Sequence, residues 1–416
     1  MAVFEVMGGN PLSGEISLSG AKNAALPILF GSLMSSGTVK LHNVPTGMQD
    51  IKVAIKVIRK LGARVVVKGS DVTIDPSTIC EAVIPYELAS KIRSSLLMLG
   101  IFLSRFGKVL LPFPGGCDIG SRKFDLHIDG LRQLGADIDM GEEAIKGSVS
   151  SFKGADIEFY LPSTTGTQNV MLGACLAKGK TIIRNANTRP EIEDFTGFLN
   201  SMGAKIRMSN RLVEIEGVKK LKGTEWSIMK GSDEAMTYMI AAGMTGGEVK
   251  ICDYDLEHLR IDVQYLREAG IEIFEWGGSV YVSGKKGLKP FHLFTAPYPG
   301  VNSDLQPLFA ALALAVPGES SITDQRFTDR FAYVPQLKSF GGEIDHYGNC
   351  AVVTGGNPLK GAKVRATDLR GGVAEILTGF ISSGKTIVDN IYQIDRGYER
   401  IERKFSRLGA HIKRKS

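Results

Sequence analysis

Cysteine is scarce and irregularly placed, with five in 416 residues at positions 80, 117, 175, 252 and 350. An odd number without regular spacing does not make a disulfide framework, and no C-x-x-C pair or His/Cys cluster suggests zinc. A reducing cytosol is the expected compartment. Long apolar runs are missing too. The longest, at 96–103 with one glycine and at 308–316, have 8 and 9 residues, against the ~20 needed to span a bilayer. The start, MAVFEVMGGNPLSGE, lacks a basic segment followed by an apolar stretch, so no signal peptide is expected. Runs of like charge are absent: 50 Lys and Arg against 44 Asp and Glu leave a net charge of +6 spread along the chain. That distribution argues against a nucleic-acid partner. No G-x-G-x-x-G or G-x-x-x-x-G-K-[ST] stands at a strand-to-helix turn, which removes the main support for dinucleotide and P-loop readings.

What is there is repetition. At roughly 150 residues per domain the length suggests two or three domains. One segment type, a helical stretch ending in L-G-A or a relative before a β-like stretch, recurs as IRKLGARVVV, LRQLGADIDM, LNSMGAKIRM, LREAGIEIFE, LKSFGGEIDH and FSRLGAHIKR. Its glycines are Gly62, Gly135, Gly203, Gly270, Gly341 and Gly409, spaced by 73, 68, 67, 71 and 68 residues. A second signature alternates with the first: an apolar helical run, a glycine, then strand residues, with glycines at 37, 107, 179, 247, 318 and 384. Six units of about 69 residues therefore carry two helices each, every helix closed by a glycine suited to a left-handed cap. The unit reads as βαβαβ. A solenoid is one outcome; two globular domains of three units each is the other.

Several residues stand where chemistry can be done. Lys22 and Asn23, in GAKNAA, lie where the strand EISLSG hands over to an apolar helix, a geometry that favours an anion; a solvated lysine in a turn is the alternative. Cys117, preceded by two glycines in FPGGCDIGSRKFDLHIDGL, lies in a loop and not on an apolar helix, with Arg122 and Lys123 near enough to lower its pKa or hold a phosphate. An exposed cysteine on a loop reads the same way. Arg93, Arg330, Arg370 and Arg396 are basic residues in otherwise apolar segments, though arginines that cap helices or pair with Asp395 or Asp368 look alike in sequence. Asp304, in GVNSDLQP before an apolar helix, is either an acid/base group or an N-cap.

These segments resemble the UDP-N-acetylglucosamine 1-carboxyvinyltransferase (enolpyruvyl transferase) family. The similarity runs from GGNPLSGEISLSGAKNAALPIL through PGGCDIG and RPEIEDFTGFLNSMGAKI to KVRATDLR and IDRGYERIE, essentially the whole chain. It implies an α/β fold of two inside-out barrels, each of three βαβαβ-type repeats with helices inside and sheets outside. One domain would span 22–229, the other 1–21 with 230–416, and the active site would lie in the cleft between them.

The implied reaction joins the 3-hydroxyl of UDP-N-acetylglucosamine to C2 of phosphoenolpyruvate and releases phosphate, without cofactor or metal, in a cytoplasmic monomer or weak homo-oligomer. Lys22 would bind phosphoenolpyruvate, Asn23 the nucleotide sugar, Cys117 would be the general acid, and Asp304 would deprotonate the hydroxyl. Arg122 would contact phosphate; Arg93, Arg330, Arg370 and Arg396 would form a cationic wall, with Arg370 and Arg396 nearest phosphoenolpyruvate. Lys123, Phe124, Asp125, Leu126, Ser163, Thr164, Thr165 and Arg326 fall in implied substrate-binding segments.

The chain departs from the family's usual wording in places: R-K-F-D-L for R-P-V-D-L at 122–126, S-T-T-G-T for S-V-G-A-T at 163–167, and K-G-S-D-E for P-D-R-I-E at 230–234. V-N-S-D replaces F-P-T-D at 301–304, and R-F-T-D-R-F stands at 326–331. Two alternatives follow: a paralogue acting on another nucleotide or nucleotide sugar, and a non-catalytic binding protein on the same scaffold.

Overall fold

Each glycine of the L-G-A set adopts a left-handed backbone, the conformation that stops a helix and redirects the chain into a strand. φ is +97° at Gly62, +105° at Gly135, +98° at Gly203, +93° at Gly270, +85° at Gly341 and +88° at Gly409 in the computed structural model, which describes residues 2–79, 83–115, 124–327 and 330–415. Residues with a Cβ are strained there by about 1–2 kcal/mol, so glycine is the residue that fits. In the second set Gly107, Gly179, Gly318 and Gly384 are also left-handed. The expectation of a left-handed cap fails at the other two. Ser35 Oγ bonds both the carbonyl and the amide of Gly37 and makes that turn without a positive φ, and beside Gly247 the left-handed residue is Gly246.

The two signatures mark two kinds of helix. Those of the second signature, Lys22–Gly31, Met98–Phe106, Thr164–Ala174, Ser232–Met244, Gln306–Ala315 and Leu369–Phe380, are apolar around most of their circumference and buried along most of their length. A helix without a polar face has to sit in a core. Those of the L-G-A set, Gln49–Lys60, Asp125–Gln133, Pro190–Ser201, Arg260–Glu268, Val334–Lys338 and Ile401–Arg407, bury one stripe and expose the rest.

The sheets share one plan. Asp156–Glu158 runs parallel to Lys180–Arg184, which pairs antiparallel with Leu212–Glu216, which in turn pairs with Lys205–Ser209. Four other sheets have the same order, and in the sixth, Lys108–Pro112 with Ala144–Ser148 and Asp137–Met140, the parallel edge is a single bridge between Val83 and Leu110 among the described residues. The βαβαβ plan is present, and a further strand closes five of the repeats as a hairpin among the described residues; in the sixth, Val3–Met7 takes that place beside His411–Lys415.

The described residues fall into two compact units, 20–115 with 124–229 and 2–19 with 230–415. Each has its own apolar core, three buried helices within three sheets. In the first unit, Glu225–Ser227 returns to pair with Val39–His42. In the second, Ser13–Ser17 supplies the parallel edge beside Glu248–Cys252, and Val3–Met7 lies between Lys385–Asp389 and His411–Lys415. Among the described residues no helix is long and apolar enough to cross a membrane.

Candidate functional site

In the first unit, Lys22 and Asn23 are the first two residues of the helix Lys22–Gly31 and do not lie in a turn ahead of it. The solvated-lysine reading also fails, because the Lys22 side chain is mostly buried and its Nζ lies 3.4 Å from Asp50 Oδ2. Asp50 is itself buried in the first turn of Gln49–Lys60. Lys22 thus opens its helix with its ammonium paired to a buried carboxylate.

Arg93 opens the 3₁₀ turn Arg93–Leu97 and sets its guanidinium 5.7 Å from the ring centre of Phe124, which stacks on Phe113. Asp125 accepts a hydrogen bond from the Tyr160 hydroxyl at 2.6 Å, and Leu126 is buried in the core. Ser163 caps the helix Thr164–Ala174, its Oγ accepting from the Gly166 amide. Thr165 reaches His127 Nε2 at 3.1 Å. Burial, with the Arg93 charge adding to it, pushes the His127 pKa down to about 3. Arg93 and Phe124 are thus in contact, as are His127 and Thr165, whereas Cys117, Arg122 and Lys123 lie outside the described residues.

In the second unit, acids and arginines alternate. Asp324 accepts from the Ser303 hydroxyl, and Arg330 Nη1 donates to that same oxygen at 3.1 Å. Arg330 Nη2 lies 2.6 Å from Asp304 Oδ1, and Asp304 Oδ2 is 3.7 Å from Arg370 Nη2. Arg370 ends the row on Asp233 and donates through Nη1 to the Tyr398 hydroxyl at 2.8 Å. Both guanidinium groups are buried while Asp304 remains partly open. Burial works against the Arg370 charge, yet Asp233, Tyr398 and Asp304 together hold its pKa above the ordinary value. The same holds for Arg330, with Asp304 and Asp368 opposing burial.

The structure decides between readings that the sequence left open. Asp304 stands inside the turn Ser303–Leu305, and its carboxylate faces Arg330 and Arg370. Asp368 is the N-cap instead, accepting from the amides of Arg370 and Gly371. Asp395 binds Arg414 through two bonds of 2.8 and 2.7 Å. Arg396, buried at the end of Tyr392–Asp395, donates to Gln393 at 3.1 Å. Arg326 and Arg330 flank the ring of Phe327.

Asp233 and His127 are among the residues of this geometry that were not singled out from the sequence. The acid at 233 opens an apolar run, where it reads as ordinary helix-terminus charge. A carboxylate fixed between two buried guanidinium groups is oriented to accept a proton from a hydroxyl brought against it.

Residues 6–405 match the EPSP synthase (3-phosphoshikimate 1-carboxyvinyltransferase) family. The UDP-N-acetylglucosamine 1-carboxyvinyltransferase 2 of Carboxydothermus hydrogenoformans is 42% identical over 419 residues, covering 100% of both chains. The chain belongs to this family of carboxyvinyltransferases. The UDP-N-acetylglucosamine 1-carboxyvinyltransferase of a Coxiella burnetii strain is likewise 42% identical, over 99% of this chain and 95% of its own. Among solved structures, the enolpyruvyl transferase NikO of Streptomyces tendae superposes with a TM-score of 0.90 at 22% identity, covering 99% of this chain and 98% of that one. An EPSP synthase of Acinetobacter baumannii superposes with 0.76 at 19% identity, over 100% of both chains. At those identities the likeness is one of fold.

Proposed function

We propose that this chain transfers the enolpyruvyl group of phosphoenolpyruvate to the 3-hydroxyl of UDP-N-acetylglucosamine and releases inorganic phosphate. The observation that carries the reading is the identity of 40–42% over essentially the whole chain to relatives named for that activity. The second unit supports it, since the Asp304 carboxylate stands partly open beside the buried guanidinium groups of Arg330 and Arg370.

In the proposed mechanism Asp304 takes the proton of the 3-hydroxyl as its oxygen bonds to C2 of phosphoenolpyruvate, and Cys117 delivers a proton to C3. The tetrahedral intermediate then loses a C3 proton as the C2–O bond to phosphate breaks, which restores the double bond. Lys22, Arg370 and Arg396 neutralise the phosphate and carboxylate of the donor, and Arg93, Arg122 and Arg330 extend the cationic set. Two anionic substrates repel each other unless the site supplies that compensation. Both are metabolites of the cytoplasm, which is where the reading places the protein.

A second reading, transfer to another nucleotide or nucleotide sugar, is favoured by one observation. Phe124, in an implied acceptor segment where the family usually has valine, fills the space between Phe113 and the Arg93 guanidinium. Phosphate release from phosphoenolpyruvate, measured with UDP-N-acetylglucosamine, UMP and shikimate 3-phosphate, separates the two. Turnover with the first acceptor supports the proposal; turnover only with another acceptor supports the second reading.

A further inference from the structure

Asp233 stands where the family's P-D-R-I-E wording has isoleucine, and its carboxylate sits directly on Arg370 Nη2. It is the second residue of the helix Ser232–Met244, aimed at the first turn of Leu369–Phe380. The other groups around that guanidinium are fixed. Tyr398 lies with its ring centre 5.5 Å from Arg370 Cζ, accepts from Nη1, and is itself bonded at 2.7 Å to Thr237 Oγ1. Thr237 Oγ1 in turn donates to the Asp233 carbonyl at 2.9 Å, so the acid and the tyrosine are tied to one turn of helix.

The charge arithmetic is unusual for an anion site. Arg370 carries one positive charge and faces two carboxylates, Asp233 in contact with Nη2 and Asp304 3.7 Å from it. Asp304 has a use in the proposed reaction. Asp233 has none, and its effect on Arg370 is to cancel the charge that an incoming carboxylate or phosphate would need.

We infer that Asp233 is an affinity-tuning residue, an internal carboxylate that occupies Arg370 in the unliganded protein and competes with the anionic substrate for it. It acts through Arg370 on anion affinity. Where the mechanism requires Arg370 to hold phosphoenolpyruvate, the inference rests on the proposed function; the neutralisation of Arg370 does not.

The test combines kinetics with equilibrium binding of inorganic phosphate. D233N keeps an oxygen to accept from Arg370 and removes the charge; D233S removes the charge by another route; D233E restores it. Both neutral variants are expected to lower the KM for phosphoenolpyruvate and the Kd for inorganic phosphate about tenfold, as expected for losing one nearby like charge in a partly screened site. The KM for the acceptor stays, and kcat does not rise in proportion. D233E returns to the values of the unmodified protein. Unchanged or weaker phosphate binding in D233N and D233S overturns the inference and leaves Asp233 as a structural support for Arg370. If the unmodified protein releases no phosphate from phosphoenolpyruvate with any acceptor, the proposed function fails, and the binding arm still decides the role of Asp233.

Discussion

Asn169 and His127 meet Nδ2 to Nδ1 at 3.0 Å, and this contact sets the tautomer of the histidine. Asn169 Oδ1 accepts from the Gly100 amide and its Nδ2 also donates to the Leu96 carbonyl, so the amide has one orientation. His127 Nδ1 must then accept, which leaves the proton on Nε2, donated to Thr165 Oγ1.

His127 is therefore expected to stay neutral far into acid. Its folded pKa of about 3, lowered by burial and then by Arg93, lies below the unfolded value near 6.5. The unfolded chain binds a proton between those values and the folded chain does not, so this group lowers stability as pH falls through that window, by up to about 1.4 kcal/mol per pH unit. The stability difference between the protein and H127Q should shrink steadily from pH 7 to pH 4. An imidazolium nitrogen signal for His127 at pH 5 would refute the assignment.

His42 has the opposite sign. Asp71 and then Glu225 raise its pKa, each bonding one ring nitrogen, at 2.9 and 2.8 Å. The stabilisation is fully present below the unfolded value near 6.5 and is lost as pH rises through the higher folded value. H42Q should lower the melting temperature at pH 6 and leave it unchanged at pH 9. The three residues stand on adjacent strands of one sheet, so the change should appear in the first unit. Equal effects at both pH values would show that the ring matters only as a spacer.

Gly203 and Gly37 separate a steric cause from a packing cause. Gly203 has φ +98° and open space where a Cβ would go, so G203A should cost about 1–2 kcal/mol through backbone strain alone. At Gly37 the backbone is not left-handed and a Cβ would lie 3.2 Å from the Gly223 amide nitrogen, so G37A should cost less. Chemical denaturation of the two variants checks the order.

That contrast also shows what the sequence could and could not reveal. A left-handed turn leaves glycine as the fitting residue, and a helix with no polar face has to be buried. The six repeats were therefore readable from glycine spacing and apolar runs. At Gly37 a serine makes the turn, and at Gly246 the register moves by one, because several local solutions satisfy the same chain reversal. Asp304, Arg330 and Arg370 stood out as charges in apolar surroundings. His127 did not, since Asn169 and Thr165 come from a helix of the following repeat. Asp233 was hidden because its partner is 137 residues away.

Alkylation should reach Cys117 ahead of Cys175 and Cys252. Burial raises the Cys175 thiol to about 12, and burial with a bond to Glu15 raises Cys252, so neither supplies much thiolate at neutral pH. A small anionic epoxide that mimics phosphoenolpyruvate is expected to modify Cys117, faster with the acceptor present. Peptide mass mapping that finds the label on Cys175 or Cys252, with Cys117 untouched, would remove Cys117 from the mechanism.

D304N should keep the fold and lose turnover by about 10²–10⁴, the usual contribution of a general base. Phosphate release shows the loss, and an unchanged melting temperature shows that Arg330 and Arg370 tolerate the amide. Turnover within tenfold of the unmodified protein would reassign Asp304 to holding the arginines.

The position of Val3–Met7 between Lys385–Asp389 and His411–Lys415 imposes an order on biosynthesis. That strand leaves the ribosome before every other described strand, yet its two neighbours, Lys385–Asp389 and His411–Lys415, are the last two described. Residues 20–229 contain every named strand of their own three sheets and can close while the rest of the chain is still being made. The nascent Val3–Met7 meanwhile presents two unpaired edges, the kind of surface that chaperones shield and that aggregates recruit. A stalled or truncated translation product lacking residues 385–415 would therefore pair one unit fully and leave the other with an open seam.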